Sequence, residues 1–371
     1  MDNEGRATGD LDPGPDRPRA DGRMHRGRGG HYRQRRSGPI AEGRRQTYAA
    51  LDLGTNNCRL LIARPSGDSF RVIDAFSRII RLGEGVSATG RLSDAAIARA
   101  VTALSICRDK MHNRAVTRAR LIATEACRAA ANGTEFLQLI RDQVGIDLEI
   151  VDRETEADLA ATGCTPLIDP QARGVVLFDI GGGSSELVLM DQSEPARRGP
   201  PEPVVRSWVS LPVGVVTLAE RHGGTRVDRG LFELMVEEVA VHAAPFTALY
   251  GSAIDGVHML GTSGTVTTIA GIHLDLPRYD RRRVDGCWLS EAEVTGVIDR
   301  LLDMTYEERV ANACIGSERA DLVLAGCAIL EAIRRAFPCP RLRVADRGLR
   351  EGILVKLMRE DGVWAHPSGE A

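Results

Sequence analysis

The strongest constraint on this chain is a supersecondary unit written twice. Ala50-Leu51-Asp52-Leu53-Gly54-Thr55-Asn56-Asn57-Cys58-Arg59-Leu60-Leu61-Ile62 aligns without gaps on Leu177-Phe178-Asp179-Ile180-Gly181-Gly182-Gly183-Ser184-Ser185-Glu186-Leu187-Val188-Leu189. In each copy an apolar strand ends in Asp-x-Gly, small polar residues turn the chain, and a second apolar strand runs back, which is the pattern of a β-hairpin with a slender tip. Such a tip lets backbone approach a ligand closely and presents successive N–H groups to an anion. Two tips on facing lobes would grip a phosphate chain from both sides. Gly54, Thr55, Asn56 and Asn57 in one copy, and Gly181, Gly182, Gly183 and Ser184 in the other, are therefore the candidate substrate contacts.

The aspartates Asp52 and Asp179 admit a plain reading, in which each only bonds the backbone of its own turn. Their duplication argues for more. Two carboxylates at matched sites beside anion-binding loops would repel phosphate unless a cation lay between them. Mg²⁺ suits that place, because it is commonly held by one or two carboxylates together with substrate phosphates.

With 371 residues, 43% of them hydrophobic, the chain has enough apolar material for two domains with real cores. The formal net charge of −3 carries no overall nucleic-acid signature. No apolar run approaches the ~20 residues of a membrane span, and the N-terminus lacks the apolar segment of a signal peptide, so no membrane partner is expected. Eight cysteines are scattered without a C-x-x-C pair, which points away from zinc and disulfide frameworks and toward a cytoplasmic protein with reduced thiols.

Residues 1–46 are rich in Gly, Pro, Arg and Asp and nearly empty of aliphatic side chains, so they are expected to form a disordered tail. From Arg23 to Arg45 that tail is basic, with Arg26, Arg28, Arg33, Arg35 and Arg36 closely spaced. It could tether RNA or polyphosphate. With almost no aromatics to stack bases, a solvated tail is the preferred reading and nucleic-acid contact is not favoured.

The ordered pattern begins at Thr47. Tyr48 to Leu53, Cys58 to Arg64 and Phe70 to Ile80 read as an antiparallel meander. A helix capped by Ser93 follows, with Ile97, Val101, Leu104 and Ile106 as its expected buried face. Arg120 to Ala123 reads as a strand, Thr124 to Ala131 as a short helix, and Thr134 as the cap of a helix reaching Val144. After the second hairpin, a helix from Arg229 to Tyr250 leads to the strand Val257 to Leu260, then Gly261-Thr262-Ser263-Gly264-Thr265 and another helix. That Gly-rich turn, with Gly264 at the helix start, is a third candidate anion site. It is neither a P-loop nor a G-x-S-x-G elbow, so Ser263 is disfavoured as a nucleophile.

Between Tyr48 and Leu354 the chain resembles the exopolyphosphatase/guanosine pentaphosphate phosphohydrolase (Ppx/GppA) family of the actin-like superfamily. The resemblance rests on motifs in order: Asp52 to Asn57, Ala123-Thr124-Glu125-Ala126-Cys127-Arg128 with Asn132 after it, Phe178 to Glu186, Gly261 to Thr265, and Asp346-Arg347-Gly348-Leu349-Arg350-Glu351-Gly352. It implies an α/β fold of two ribonuclease-H-like domains with an interdomain cleft, and Mg²⁺-assisted hydrolysis of terminal phosphoanhydrides. The expected division is 47–152 plus 347–363 for the first domain and 153–346 for the second, with 364–371 a tail.

The family segment written Ser-Gly-x-Glu-Glu-Ala corresponds here to Asp152-Arg153-Glu154-Thr155-Glu156-Ala157. Glu156 takes the catalytic position, while Asp152-Arg153 and Thr155 depart from the family pattern. An acid in a first helical turn can also serve only the helix dipole. On the resemblance, Glu156 would accept the proton of the attacking water, Asp52 and Asp179 would hold the metal, and Arg128 would bind a neighbouring phosphate.

The expected substrate is inorganic polyphosphate, with guanosine pentaphosphate as the alternative. An actin-like ATP-binding module without phosphatase action is the reading from another class. The chain ends soon after Arg359, so it resembles the short two-domain members, for which short polyphosphate is the more natural substrate. Helices near Val294 to Met304 and Ala320 to Phe337 are expected in the second core, and part of their surface could serve a homodimer.

Overall fold

The computed structural model describes residues 46–192, 196, 198–251 and 255–365. The basic segment up to residue 45 and residues 366–371 lie outside the described residues, and with them most of the expectations about the tails; Trp364, expected in the C-terminal tail, instead packs beside the terminal helix and donates its indole N–H to the Gly67 carbonyl at 3.1 Å.

Among the described residues, eleven strands form two sheets. The first contains β1 (Tyr48–Leu53), β2 (Asn57–Ser66), β3 (Ser69–Ile79), β4 (Arg118–Ala123) and β5 (Glu149–Ile150) in the order β3-β2-β1-β4-β5. The second contains β6 (Gly174–Ile180), β7 (Ser185–Asp191), β8 (Val204–Leu211), β9 (Val257–Thr262), β10 (Trp288–Ser290) and β11 (Arg341–Ala345) in the order β10-β11-β9-β6-β7-β8. In both, a three-stranded antiparallel meander is extended by parallel strands from its first member: β1 pairs with β4, and β6 with β9. The duplicated hairpins are β1-β2 and β6-β7, and their registers match, Asp52 facing Arg59 as Asp179 faces Glu186.

Strand alternation sends Leu51, Leu53, Leu60 and Ile62 into one core, against the helices Asp94–Asn113 and Gly133–Val144. Tyr48, Ala50, Leu61 and Ile122 face the other way, onto Ile353, Leu354 and Met358 of the helix Leu349–Glu360. That terminal helix thus packs on the first sheet. It also crosses the helix Arg153–Cys164, and glycines permit the close crossing: a Cβ on Gly352 would lie 1.9 Å from the Leu159 carbonyl oxygen, and one on Gly163 1.9 Å from that of Gly348. The helix Arg153–Cys164 serves both lobes, because Leu159 packs with the first sheet while Ala157, Ala161 and Cys164 pack with Val175 and Leu177 of the second. The largest core lies on the other face of the second sheet, beneath the helices Arg229–Tyr250, Gly264–His273, Glu291–Asp303 and Val323–Ala336.

Two local expectations are corrected. The helix after Ser93, whose hydroxyl does accept from the Ala96 N–H, buries Ala96, Ala100, Ala103, Leu104 and Cys107, whereas Ile97, Val101 and Ile106 are only half-buried. Small side chains let the helix settle close on the sheet and push the bulkier ones to its flanks. Thr134 is not a cap: the helix begins at Gly133 behind Asn132. The Asn132 side chain instead exchanges two hydrogen bonds with the Leu92 backbone, at 2.8 and 3.0 Å. Among the described residues no helix is long and apolar enough to cross a membrane.

Candidate active site

The two hairpin tips meet. A Cβ on Gly182 would stand 2.8 Å from the Thr55 Cβ and 3.2 Å from the Asn56 nitrogen, and one on Gly183 would stand 2.9 Å from both Thr55 Oγ1 and Glu125 Cγ. Only glycine allows this approach. The rim is closed by Arg81, whose Nη1 and Nη2 donate to the Asp321 carboxylate at 2.8 and 3.0 Å, with a third bond from Nη2 to the Glu318 carbonyl at 3.1 Å. Arg81 takes a left-handed backbone (φ 46°), and its N–H donates to the carbonyl of the tip residue Asn56. Beside it, the Gly85 N–H donates to Glu220 across the same gap at 2.9 Å.

Behind the tips lies a cavity of about 920 Å³ lined by both lobes. Asp52, Gly54 to Asn57, Glu156, Asp179, Gly181 to Ser184 and Gly264 all face it. The tip N–H groups divide into two sets. Those of Gly54 and Gly181 close their own turns onto Asn57 and Ser184, each at 2.9 Å, so they are withdrawn from any ligand. Among the described residues no acceptor meets the N–H groups of Thr55, Asn56, Gly182, Gly183 or Ser184. These five are the donors available to an anion.

Asp52, Glu156, Asp179 and Glu186 lie near enough to feel one another's charge, and burial disfavours their ionisation. Burial, aided by the charge of Glu186 and then of Asp52, pushes Glu156 up to about 8, against the pull of Arg128. Burial and then Glu156 raise Asp179 to about 7. Burial and then Asp179 raise Glu186 to about 7, although hydroxyls of Ser184 and Ser210 donate to it, each at 2.8 Å. Asp52 is raised by burial too, in spite of Arg59 and Arg350. Glu186 escaped the sequence reading as a site residue. Its signal was the hairpin alignment, in which position 59 is a compensating arginine and position 186 a second acid.

Arg128 does not line the cavity. Its Nε and Nη2 donate to Glu125 at 3.0 and 2.6 Å, Nη1 to the Val151 carbonyl at 2.6 Å, and Nη2 also to Glu156 at 3.2 Å. In this conformation its fork is occupied by two carboxylates and a backbone carbonyl, and it stands behind Glu156. At the third turn, the Ser263 hydroxyl accepts from the Val266 N–H, which occupies it as a helix cap. Gly264 leaves room for Arg319, whose guanidinium would lie 3.5 Å from a Cβ there. Arg59, Arg78, Arg319 and Arg350 line the cavity without an ion pair among the described residues. Sequence reasoning passed over them because an isolated arginine has no local pattern. At the far wall, buried Glu351 accepts from Arg281 at 2.9 Å and from the Gly348 N–H at 3.0 Å.

Two matched sheets whose hairpin tips touch over a shared cavity define a two-domain α/β protein of the ribonuclease-H-like, actin-like class. The Ppx/GppA phosphatase family matches residues 61–361, and the chain belongs to that family. It is 30% identical over 325 residues to Exopolyphosphatase 2 of Mycobacterium tuberculosis, covering 83% of this chain and 98% of that protein. The crystal structure of the Aquifex aeolicus Ppx/GppA family member superposes with a TM-score of 0.69 at 28% identity, over 85% of this chain and 98% of that one. An exopolyphosphatase from Cytophaga hutchinsonii shares the fold, with a TM-score of 0.76 at 23% identity over 85% of this chain and 98% of that one.

Proposed function

We propose that the protein is an exopolyphosphatase, hydrolysing the terminal phosphoanhydride of inorganic polyphosphate with Glu156 as general base. The observation that carries this is the convergence of both tips and Glu156 on one cavity. Free N–H groups of Thr55, Asn56, Gly182, Gly183 and Ser184 bind the oxygens of the terminal phosphate and stabilise charge that grows on them. Arg59, Arg319 and the helix start at Gly264 take up the charge of the following phosphates. Glu156 accepts a proton from water as its oxygen bonds the terminal phosphorus; the bridging P–O bond breaks, and the shortened chain leaves with the electron pair.

The donor set fits Mg²⁺. Asp52 and Asp179 face the cavity, and the buried side-chain oxygens of Asn56 and Asn57 lack any donor, so these four side chains offer the oxygen ligands that Mg²⁺ takes. Asp52 and Asp179 would hold it. When bound, it supplies positive charge that neutralises phosphate oxygens and favours ionised carboxylates.

Domains spanning 47–152 with 347–363, and 153–346, would open to admit substrate and close to bring the tips together. Eight free cysteines suit a reducing cytoplasm. Phosphate release from polyphosphate, guanosine pentaphosphate and ATP, measured in parallel with and without Mg²⁺, tests the assignment. Polyphosphate should be the preferred substrate. Preference for guanosine pentaphosphate would move the assignment within the family, and turnover of ATP alone would replace it with an actin-like ATPase.

A further inference from the structure

We propose, resting on the reading of Glu156 given above, that Glu125 is a positioning residue: braced by Arg153, it holds the Arg128 guanidinium on Glu156 and withholds it from substrate phosphate. Four side chains form an alternating row. Arg153 Nη2 donates to both oxygens of Glu125 at 2.9 and 3.1 Å, Glu125 accepts twice from Arg128, and Arg128 reaches Glu156 at 3.2 Å. Glu125 and Glu156 line the cavity, whereas Arg128 lies behind them with 18% of its side chain exposed.

Glu125 is fixed from three directions. Its own helix, Glu125–Ala129, places Arg128 three residues on, within reach of its carboxylate. Arg153 clamps it from the first turn of the helix Arg153–Cys164. The Gly183 tip of the opposite lobe packs against its methylenes, since a Cβ there would lie 2.9 Å from Glu125 Cγ. The Asp152-Arg153 departure from the family segment thereby acquires a role. Asp152 caps the helix by accepting the Thr155 N–H at 2.7 Å, and Arg153 supplies the clamp.

Neutralising Glu125 takes away the charged oxygen on which two of the four Arg128 hydrogen bonds end, and with it a negative charge from the cavity wall; the bonds to the Val151 carbonyl and Glu156 remain. The Nε–Nη2 edge that met Glu125 can then pair with a phosphate, because that planar edge suits phosphate as well as carboxylate, while Nη1 stays on the Val151 carbonyl. Glu156 at the same time loses a partner held in place. Rate and affinity therefore move in a pattern that simple loss of fold does not produce.

The test compares kcat and KM for polyphosphate in wild-type protein, E125Q, E125D and R153Q. E125Q should lower KM about tenfold, the size of one charge-assisted hydrogen bond, and lower kcat about tenfold by loosening Glu156. R153Q, altered at a half-exposed clamp, should shift both constants the same way by about threefold. E125D should return both toward wild type. Any other pattern overturns the proposal: an unchanged or raised KM shows that Arg128 was never withheld, and an unchanged kcat shows that Glu156 needs no hold. Wild-type protein releasing no phosphate would count against the substrate assignment alone. Calorimetric titration with tripolyphosphate would then still decide the matter, because E125Q must bind it more tightly.

Discussion

Replacing Gly182 by alanine tests the contact on which the proposed catalysis depends. The added methyl would lie 2.8 Å from the Thr55 Cβ and 3.2 Å from the Asn56 nitrogen, atoms that cannot swing aside because Thr55 is buried and Asn56 is backbone. Ordinary carbon contacts are about 3.5–4.0 Å, so the tips must part by roughly 1 Å. A misplacement of that size costs on the order of 10²-fold in rate, equivalent to about 2.7 kcal/mol on the barrier. Stability should fall less than activity, because parting the tips relieves the clash while the entropy lost by the unfolded chain on adding a Cβ offsets part of the cost. Gly296, in the helix Glu291–Asp303, is the control: nothing lies within 4 Å of a Cβ there. G296A should keep full turnover and gain about 0.5–1 kcal/mol. Phosphate release under saturating polyphosphate, with melting temperature alongside, reads both variants. Turnover in G182A within threefold of wild type would refute the requirement for joined tips.

Further outcomes follow from the same geometry. E156Q should lose about 10²–10⁴-fold in kcat while polyphosphate affinity, measured by calorimetry, stays close to wild type. R81A removes the bidentate pair with Asp321 at the rim and should raise KM by roughly three- to tenfold, with D321A behaving alike and the double variant no worse than either. D179N should raise the half-saturating Mg²⁺ concentration at least about tenfold, read from activity titrations. Stability without a divalent cation should fall between about pH 4.5 and 8. The raised groups Glu156, Asp179 and Glu186 hold their protons in the folded state where the unfolded chain has lost them, so their contribution is complete at acid pH and is lost as pH rises through about 7 to 8. Thermal melts across that range, with and without Mg²⁺, should show the largest metal-dependent gain at the alkaline end.

The hairpins were legible because everything that makes them is local: strand pattern, Asp-x-Gly and small tip residues lie within thirteen positions and recur. Glu156 was legible through the motif around it, and the cap at Ser93 through its place before an apolar-periodic run. The buried face of the helix Asp94–Asn113 was misjudged because bulk was taken as the mark of a core. Against a sheet, alanines at 96, 100 and 103 pack closer than isoleucine can. Arg128 illustrates the harder case, since its residue type suits phosphate and carboxylate equally, and only the placement of Glu125 and Glu156 shows which it meets.

Glu156 was singled out only by its likeness to a family segment; what the sequence by itself determined is the pair of hairpins and the aspartates that begin their turns. These are short-range properties of strand period, glycine and spacing. Only the tertiary structure decided that the tips touch, that Gly54 and Gly181 keep their N–H groups for their own turns, and that Arg81 reaches Asp321, 240 residues away. Partners so distant in the chain are selected by how two sheets and a crossing pair of helices pack, and packing leaves no local trace in the order of residues.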